Sequence, residues 1–205
     1  MHAQDIRAVL FDMDGTLVDS DAAVERAWTT WSTEYGVEAS AVLAVAHGSP
    51  AESVVERVLP GLDPTIRAIA AGRQHELQYD DLSDVVAAPG AHELLDLLEQ
   101  RGLPWAVVTS ADQRLAKARL TAAGIVPPVL VTIEDITKGK PDPEGYLRGA
   151  ELLGVDVRQC LVVEDAEVGL QAGKAAGAWT AALKGLTGDL DLTDLRQLAA
   201  LLTVP

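Results

Sequence analysis

Asp12-Met13-Asp14-Gly15-Thr16 places two carboxylates two residues apart, directly after the apolar run Ile6-Arg7-Ala8-Val9-Leu10-Phe11. Such a pair is costly at the end of a buried strand unless a cation or a ligand sits between its members. A calcium loop of the EF-hand kind also begins Asp-x-Asp, with glycine sixth and glutamate twelfth. Here glycine is fourth and the twelfth residue is Ala23, which excludes that loop. Three further segments extend the pair. Thr109-Ser110 follows the apolar run Trp105-Ala106-Val107-Val108, where a hydroxyl and the amides after it can hold a phosphate oxygen. Lys140 lies in Gly139-Lys140-Pro141, just before a helical pattern, and Glu164-Asp165 forms a second acidic pair after Leu161-Val162-Val163. Each segment alone has an ordinary explanation: an aspartate in a turn, a helix cap, a solvated lysine. Together, in this order, they are far more specific than any one of them. The four histidines are scattered and Cys160 stands alone, so no zinc-type ligand set can be read.

The elements that must position these residues follow from the apolar pattern. Ile6–Phe11, Trp105–Val108, Val129–Val131, Leu161–Val163 and Trp179–Leu183 are continuous apolar runs without alternation, as expected of strands covered on both faces of a parallel sheet. Helical spacing separates them: Leu94, Leu95, Leu97 and Leu98; Leu115 to Leu120; Tyr146 to Leu153; Val168 to Ala176. Alternating strands and helices predict an α/β, doubly wound parallel sheet, which binds ligands beyond the strand ends. The region 20–87 breaks this rhythm. Val24, Trp28, Trp31 and Tyr35 share one helical face, Val54, Val55, Val58 and Leu59 suggest a second helix, and Ile66, Ile69 and Ala70 a third. No strand is expected there. The expected organisation is a core of residues 1–19 and 88–205, with 20–87 inserted as a small all-helical domain.

Composition bounds the function. A chain of 205 residues should bury roughly 70% of its unfolded surface and needs no covalent staples. Sixteen basic and thirty-one acidic residues give a net charge of −15, which argues against nucleic acid and anionic membrane as partners. A single cysteine excludes an intramolecular disulfide and suits a reducing compartment. Met1 to Asp5 lacks a basic region followed by an apolar one, so a soluble, cytoplasmic, monomeric protein is expected.

The four motifs read Phe-Asp-Met-Asp-Gly-Thr-Leu-Val-Asp-Ser, Val-Val-Thr-Ser-Ala, Gly-Lys-Pro-Asp-Pro and Val-Val-Glu-Asp-Ala. With them the chain resembles the haloacid-dehalogenase-like superfamily, in the subfamily with a helical cap inserted after the first strand of a Rossmann-like core. Within it the chain is most similar to small sugar-phosphate phosphatases, such as those acting on 2-deoxyglucose-6-phosphate or glycerol phosphate. The resemblance implies a Mg²⁺-dependent phosphatase with a small phosphorylated metabolite as its partner. It makes Asp12 the nucleophile, giving an aspartyl-phosphate, and Asp14 the general acid and then base. It places Mg²⁺ on Asp12, the backbone carbonyl of Asp14 and Asp165, with Glu164 nearby or acting through water. It gives Ser110, Thr109, the Ala111 amide and Lys140 to the phosphoryl oxygens. Four carboxylates and one lysine would repel a phosphate dianion without the metal.

The cap is expected to close over the site and set selectivity through His47, Gly48 and Arg73, with Glu25 a weaker candidate. Trp28 and Trp31 are expected to be cap core rather than a sugar platform. The related hexose-phosphate mutases carry a histidine and an arginine in cap stretches that here read Asp21-Ala22-Ala23-Val24 and His47-Gly48-Ser49-Pro50-Ala51, so hydrolysis is expected over phosphate re-donation. Asp14 argues against a dehalogenase or a phosphonate hydrolase. The alternatives are a capped phosphatase for phosphoglycolate, pyrophosphate or a nucleoside monophosphate, and a degenerate fold that only binds a metabolite or a protein.

Overall fold

The computed structural model describes residues 5–46 and 49–203. The chain divides into two compact units, one of Met1–Asp19 with Val86–Pro205 and one of Ser20–Val85.

The first unit is built on a six-stranded parallel sheet in the order β5-β4-β1-β6-β7-β8. Its strands are β1 (Ala8–Phe11), β4 (Trp105–Val108), β5 (Leu130–Val131), β6 (Cys160–Glu164), β7 (Trp179–Ala182) and β8 (Leu190–Asp191). Every residue of β1 and β6 is buried, which explains why these segments read as unbroken apolar runs. The chain runs outward from β1 through β4 to β5, then restarts on the other flank of β1 with β6. The crevice beyond the ends of β1, β4 and β6 is therefore the switch point where such sheets take ligands. Helices α5 (Ala91–Gln100), α6 (Gln113–Ala122), α7 (Glu144–Leu153), α8 (Glu167–Ala176) and α9 (Leu195–Thr203) complete the unit. One core cluster joins Leu10, Val108, Val131 and Val162 of the sheet to Tyr146 and Ala150 of α7 and Ala172 of α8.

Two differences from the sequence expectation concern short elements. Ile6 and Arg7 precede β1, and Val129 and Leu183 fall outside β5 and β7. The inserted region is not free of strand: Val86–Ala87 forms β3, antiparallel to β2 (Val18–Asp19). Two residues per strand are too few to leave a periodic signal, and the pair ties the outgoing chain to the returning one. The helical unit accordingly ends at Val85 and not at residue 87.

The second unit holds α1 (Asp21–Tyr35), α2 (Ala39–Ala46), α3 (Ala51–Val58) and α4 (Pro64–Leu77). Trp31 is fully buried, stacks on Tyr35 at 4.6 Å, meets Trp28 edge-on at 5.4 Å and donates its indole N–H to the Ala70 carbonyl at 2.8 Å. Trp28 and Trp31 are core of this unit, as expected of them. Asp63 caps α4 by accepting the Thr65 amide, with Pro64 at the first helical position. Among the described residues, no helix is long and apolar enough to cross a membrane.

Candidate active site

Asp12 follows the last residue of β1, and its amide donates to the Val163 carbonyl of β6 at 3.0 Å. The next residues form a tight turn: the Gly15 amide donates to the Val18 carbonyl at 2.7 Å and the Leu17 amide to the Met13 carbonyl at 3.0 Å. Gly15 has φ +78, and a Cβ there would overlap the Asp165 carboxylate, so only glycine meets both demands. The turn therefore brings the first motif against the fourth.

Lys140, in the third motif, contacts the other three. Its Nζ lies 2.5 Å from Asp12 Oδ1, 2.7 Å from Glu164 Oε1 and 3.1 Å from the Val108 carbonyl, so all three ammonium hydrogens have acceptors. The ammonium also lies 5.2 Å from the ring centroid of Tyr146, whose hydroxyl donates to Glu164 Oε1 at 2.6 Å. Burial alone would lower the lysine pKa, but the charges of Asp12 and Glu164 outweigh it and hold Lys140 above the ordinary value. Burial pushes the Asp12 carboxyl well above the usual carboxylate range. Lys140 pulls it back, while Glu164 and Asp165 add to the rise. Tyr146 is likewise pushed well up, by burial and then by Glu164.

Asp165 accepts from the Thr16 hydroxyl at 3.4 Å and lies 3.1 Å from Lys184 Nζ. Oxygens of Asp12, Glu164 and Asp165 all fall within 4.8 Å of one another. The donor set is oxygen only and partly buried, and its members repel one another. These are the requirements of a hard divalent cation, so the residues fit Mg²⁺.

Asp14 stands apart from that cluster. Its Oδ2 is 2.7 Å from Nη1 of Arg119, a side chain of α6 that is buried with the rest of the helix's inner face.

The other expected site residues have the following surroundings. The Ala111 amide donates to Thr109 Oγ1 at 3.1 Å, and Thr109 is buried, its hydroxyl hydrogen still available as a donor. Ser110 is exposed just past β4. Glu164 lies within the acidic cluster and also accepts from Lys140, Tyr146 and the Ala166 amide (3.3 Å), so it anchors Lys140 as well. Arg73 is partly exposed and pairs with Glu34 through two bonds of 2.7 and 2.8 Å and with Glu76 at 3.3 Å, all within the helical unit. Glu25 is an exposed residue of α1. His47 and Gly48 lie outside the described residues. Arg119, Tyr146 and Lys184 were not legible as site residues: an arginine or a tyrosine in a helix, and a lysine after a strand, carry no spacing that marks them.

A haloacid dehalogenase-like hydrolase family model matches residues 6–177, which contain all four motifs. The chain belongs to this family. As a haloacid dehalogenase-like hydrolase, it is 42% identical over 172 residues to hexitol phosphatase A of Escherichia coli K12, covering 83% of this chain and 80% of that one. It is 38% identical over 201 residues to 2-deoxyglucose-6-phosphate phosphatase 1 of Saccharomyces cerevisiae, covering 89% and 80%. Its fold superposes with a TM-score of 0.82, at 20% identity, on a haloacid dehalogenase hydrolase of family IA from Entamoeba histolytica, covering 97% of this chain and 100% of that one.

Proposed function

We propose that this hydrolase cleaves a small sugar or polyol phosphate monoester through a phosphoryl group carried on Asp12. One observation carries the reading: the first two aspartates of the first motif stand in different environments. Asp12 is buried in the cluster with Lys140, Glu164 and Asp165, whereas Asp14 is drawn to Arg119. A nucleophile and a proton carrier need that division, and a module that only binds does not.

In the first half-reaction an Asp12 oxygen bonds to phosphorus as the bond to the substrate's bridging oxygen breaks. Asp14 delivers its proton to that oxygen, and the alcohol leaves. In the second, Asp14 takes a proton from water as the water oxygen bonds to phosphorus and the Asp12–phosphorus bond breaks. Lys140 balances charge on the phosphoryl oxygens throughout, held in place by Glu164. Mg²⁺ would be held by Asp12, Asp165 and the Asp14 backbone carbonyl, and would neutralise the acidic cluster and the phosphate dianion. The substrate class is supported by relatives named for hexitol and for 2-deoxyglucose 6-phosphate.

The test is phosphate release from a panel of hexitol, hexose, glycerol, glycolate and nucleoside monophosphates, with Mg²⁺ or with EDTA. Release should depend on Mg²⁺, show its highest kcat/KM on a sugar or polyol ester, and vanish with EDTA. Highest kcat/KM on glycolate phosphate or a nucleotide would overturn the substrate class. Release that EDTA leaves unchanged would overturn the mechanism.

A further inference from the structure

Arg119 is 1% exposed, and its neighbours on the inner face of α6 are Leu115, Ala116 and Leu120. Burying a guanidinium costs several kcal/mol unless it is paired, and arginine cannot escape by losing its proton. It pairs with Asp14, its Nη1 2.7 Å from Oδ2, in a carboxylate that remains 28% exposed at the turn after β1. The exposed cations of the same helix, Arg114 and Lys117, show that α6 had solvent-facing positions for its charges. Asp12 and Glu164 are held by Lys140, and Asp165 lies beside Lys184, so the cluster has cations of its own. The buried cation of α6 is set beneath the other carboxylate of the first motif.

We propose that Arg119 is a positioning residue for Asp14. By holding Oδ2, it fixes the carboxyl away from the cluster of Asp12, Glu164 and Asp165, where a mobile Asp14 would become a further cation ligand. It keeps the group turned toward the oxygen that must receive a proton when the phosphorus–alcohol bond breaks. The proposal rests on the reading of Asp14 as proton carrier, and its test separates the two.

Wild type, Arg119→Met, Arg119→Lys, Asp14→Asn and the double variants are compared with Mg²⁺ on an alkyl phosphate and on p-nitrophenyl phosphate. Thermal unfolding reports the folded fraction of each. Arg119→Met should lower kcat on the alkyl ester by roughly 10²-fold or more, within the range of a positioned acid/base. KM should move by no more than about threefold, a small change on the free-energy scale of binding. In a single turnover the phosphorylation step should slow less on p-nitrophenyl phosphate, whose departing oxygen needs no proton, whereas dephosphorylation, which needs Asp14 as base, should slow alike after either ester. Adding Arg119→Met to Asp14→Asn should cost nothing further, since the residue acts through Asp14. Arg119→Lys should fall between wild type and Arg119→Met, and if Arg119→Met does not fold, the same cycle is run with Arg119→Lys. Losses that multiply in the double variant, or a phosphorylation step slowed equally on both esters, would overturn the role of Arg119 alone. Wild-type turnover in Asp14→Asn would overturn the reading of Asp14 and this proposal with it.

Discussion

Lys140 has three hydrogens and three acceptors, two of them buried carboxylates whose repulsion it offsets. Removing one partner of such a buried arrangement leaves uncompensated charge, worth about 3–5 kcal/mol. Lys140→Met should therefore destabilise the metal-free protein by about that amount in urea denaturation, and a second change, Glu164→Gln, should restore part of it. The sign with pH follows from the raised pKa of Lys140. Its contribution is complete below the ordinary lysine value of 10.5 and is lost as pH rises through the higher folded value. Asp165 and Asp14 should separate under calorimetric titration with Mg²⁺. Asp165→Ala should weaken binding, while Asp14→Asn should bind nearly as wild type if, as proposed, Asp14 offers the metal only its backbone carbonyl. Equal weakening in both would remove the division of roles.

Two glycines show how helices serve the site. Gly169, in the first turn of α8, leaves room for the Glu164 side chain, and a Cβ there would overlap its carboxylate. Alanine would gain about 1 kcal/mol of helix propensity but force Glu164 aside, and overpacking costs about 1–3 kcal/mol. Gly169→Ala should thus lower stability and, through the displaced Lys140 anchor, turnover. Gly72 in α4 is the contrasting case: a Cβ added there would meet nothing within 4 Å, so Gly72→Ala should raise stability by up to about 1 kcal/mol. Urea midpoints of the two variants should move in opposite directions. The sequence made the long elements legible because β1, β4 and β6 are continuous apolar runs ending in polar residues, and α1 repeats its aromatics on one face. It did not reveal α2, whose Ala-Ser-Ala-Val-Leu-Ala-Val-Ala is apolar all round, nor the two-residue strands β2, β3 and β8. At the site it placed Asp12, Lys140 and Asp165 in one cluster. It left out Arg119, because a helix that reads Arg-Leu-Ala-Lys-Ala-Arg-Leu does not say which of its cations turns inward.

At the scale of the whole molecule, the net charge of −15 sits around a site that must receive a phosphate dianion, so the cations Lys140, Lys184 and Arg119 and a bound metal set the local balance. Cys160 opens β6 fully buried, and burial pushes its thiol up to about 11 from 9.0. Its alkylation at neutral pH should track global unfolding, reaching full rate only in denaturant. Between pH about 9 and about 11 the unfolded thiol ionises while the folded one holds its proton, which lowers stability, so the stability gap to Cys160→Ala should narrow there. Fast alkylation of the native protein would show that β6 opens locally. The central claim is that Asp12 carries the phosphoryl group while Asp14 moves the protons, and Asp14→Asn tests it most directly. Mixed with p-nitrophenyl phosphate and Mg²⁺, this variant keeps a first step that needs no acid and loses the base for the second. A burst approaching one p-nitrophenolate per enzyme is expected, then slow turnover, with hydride reduction of the quenched protein converting Asp12 to homoserine. Phenolate and phosphate released in step, with the Asp12 peptide unmodified during turnover, would contradict it.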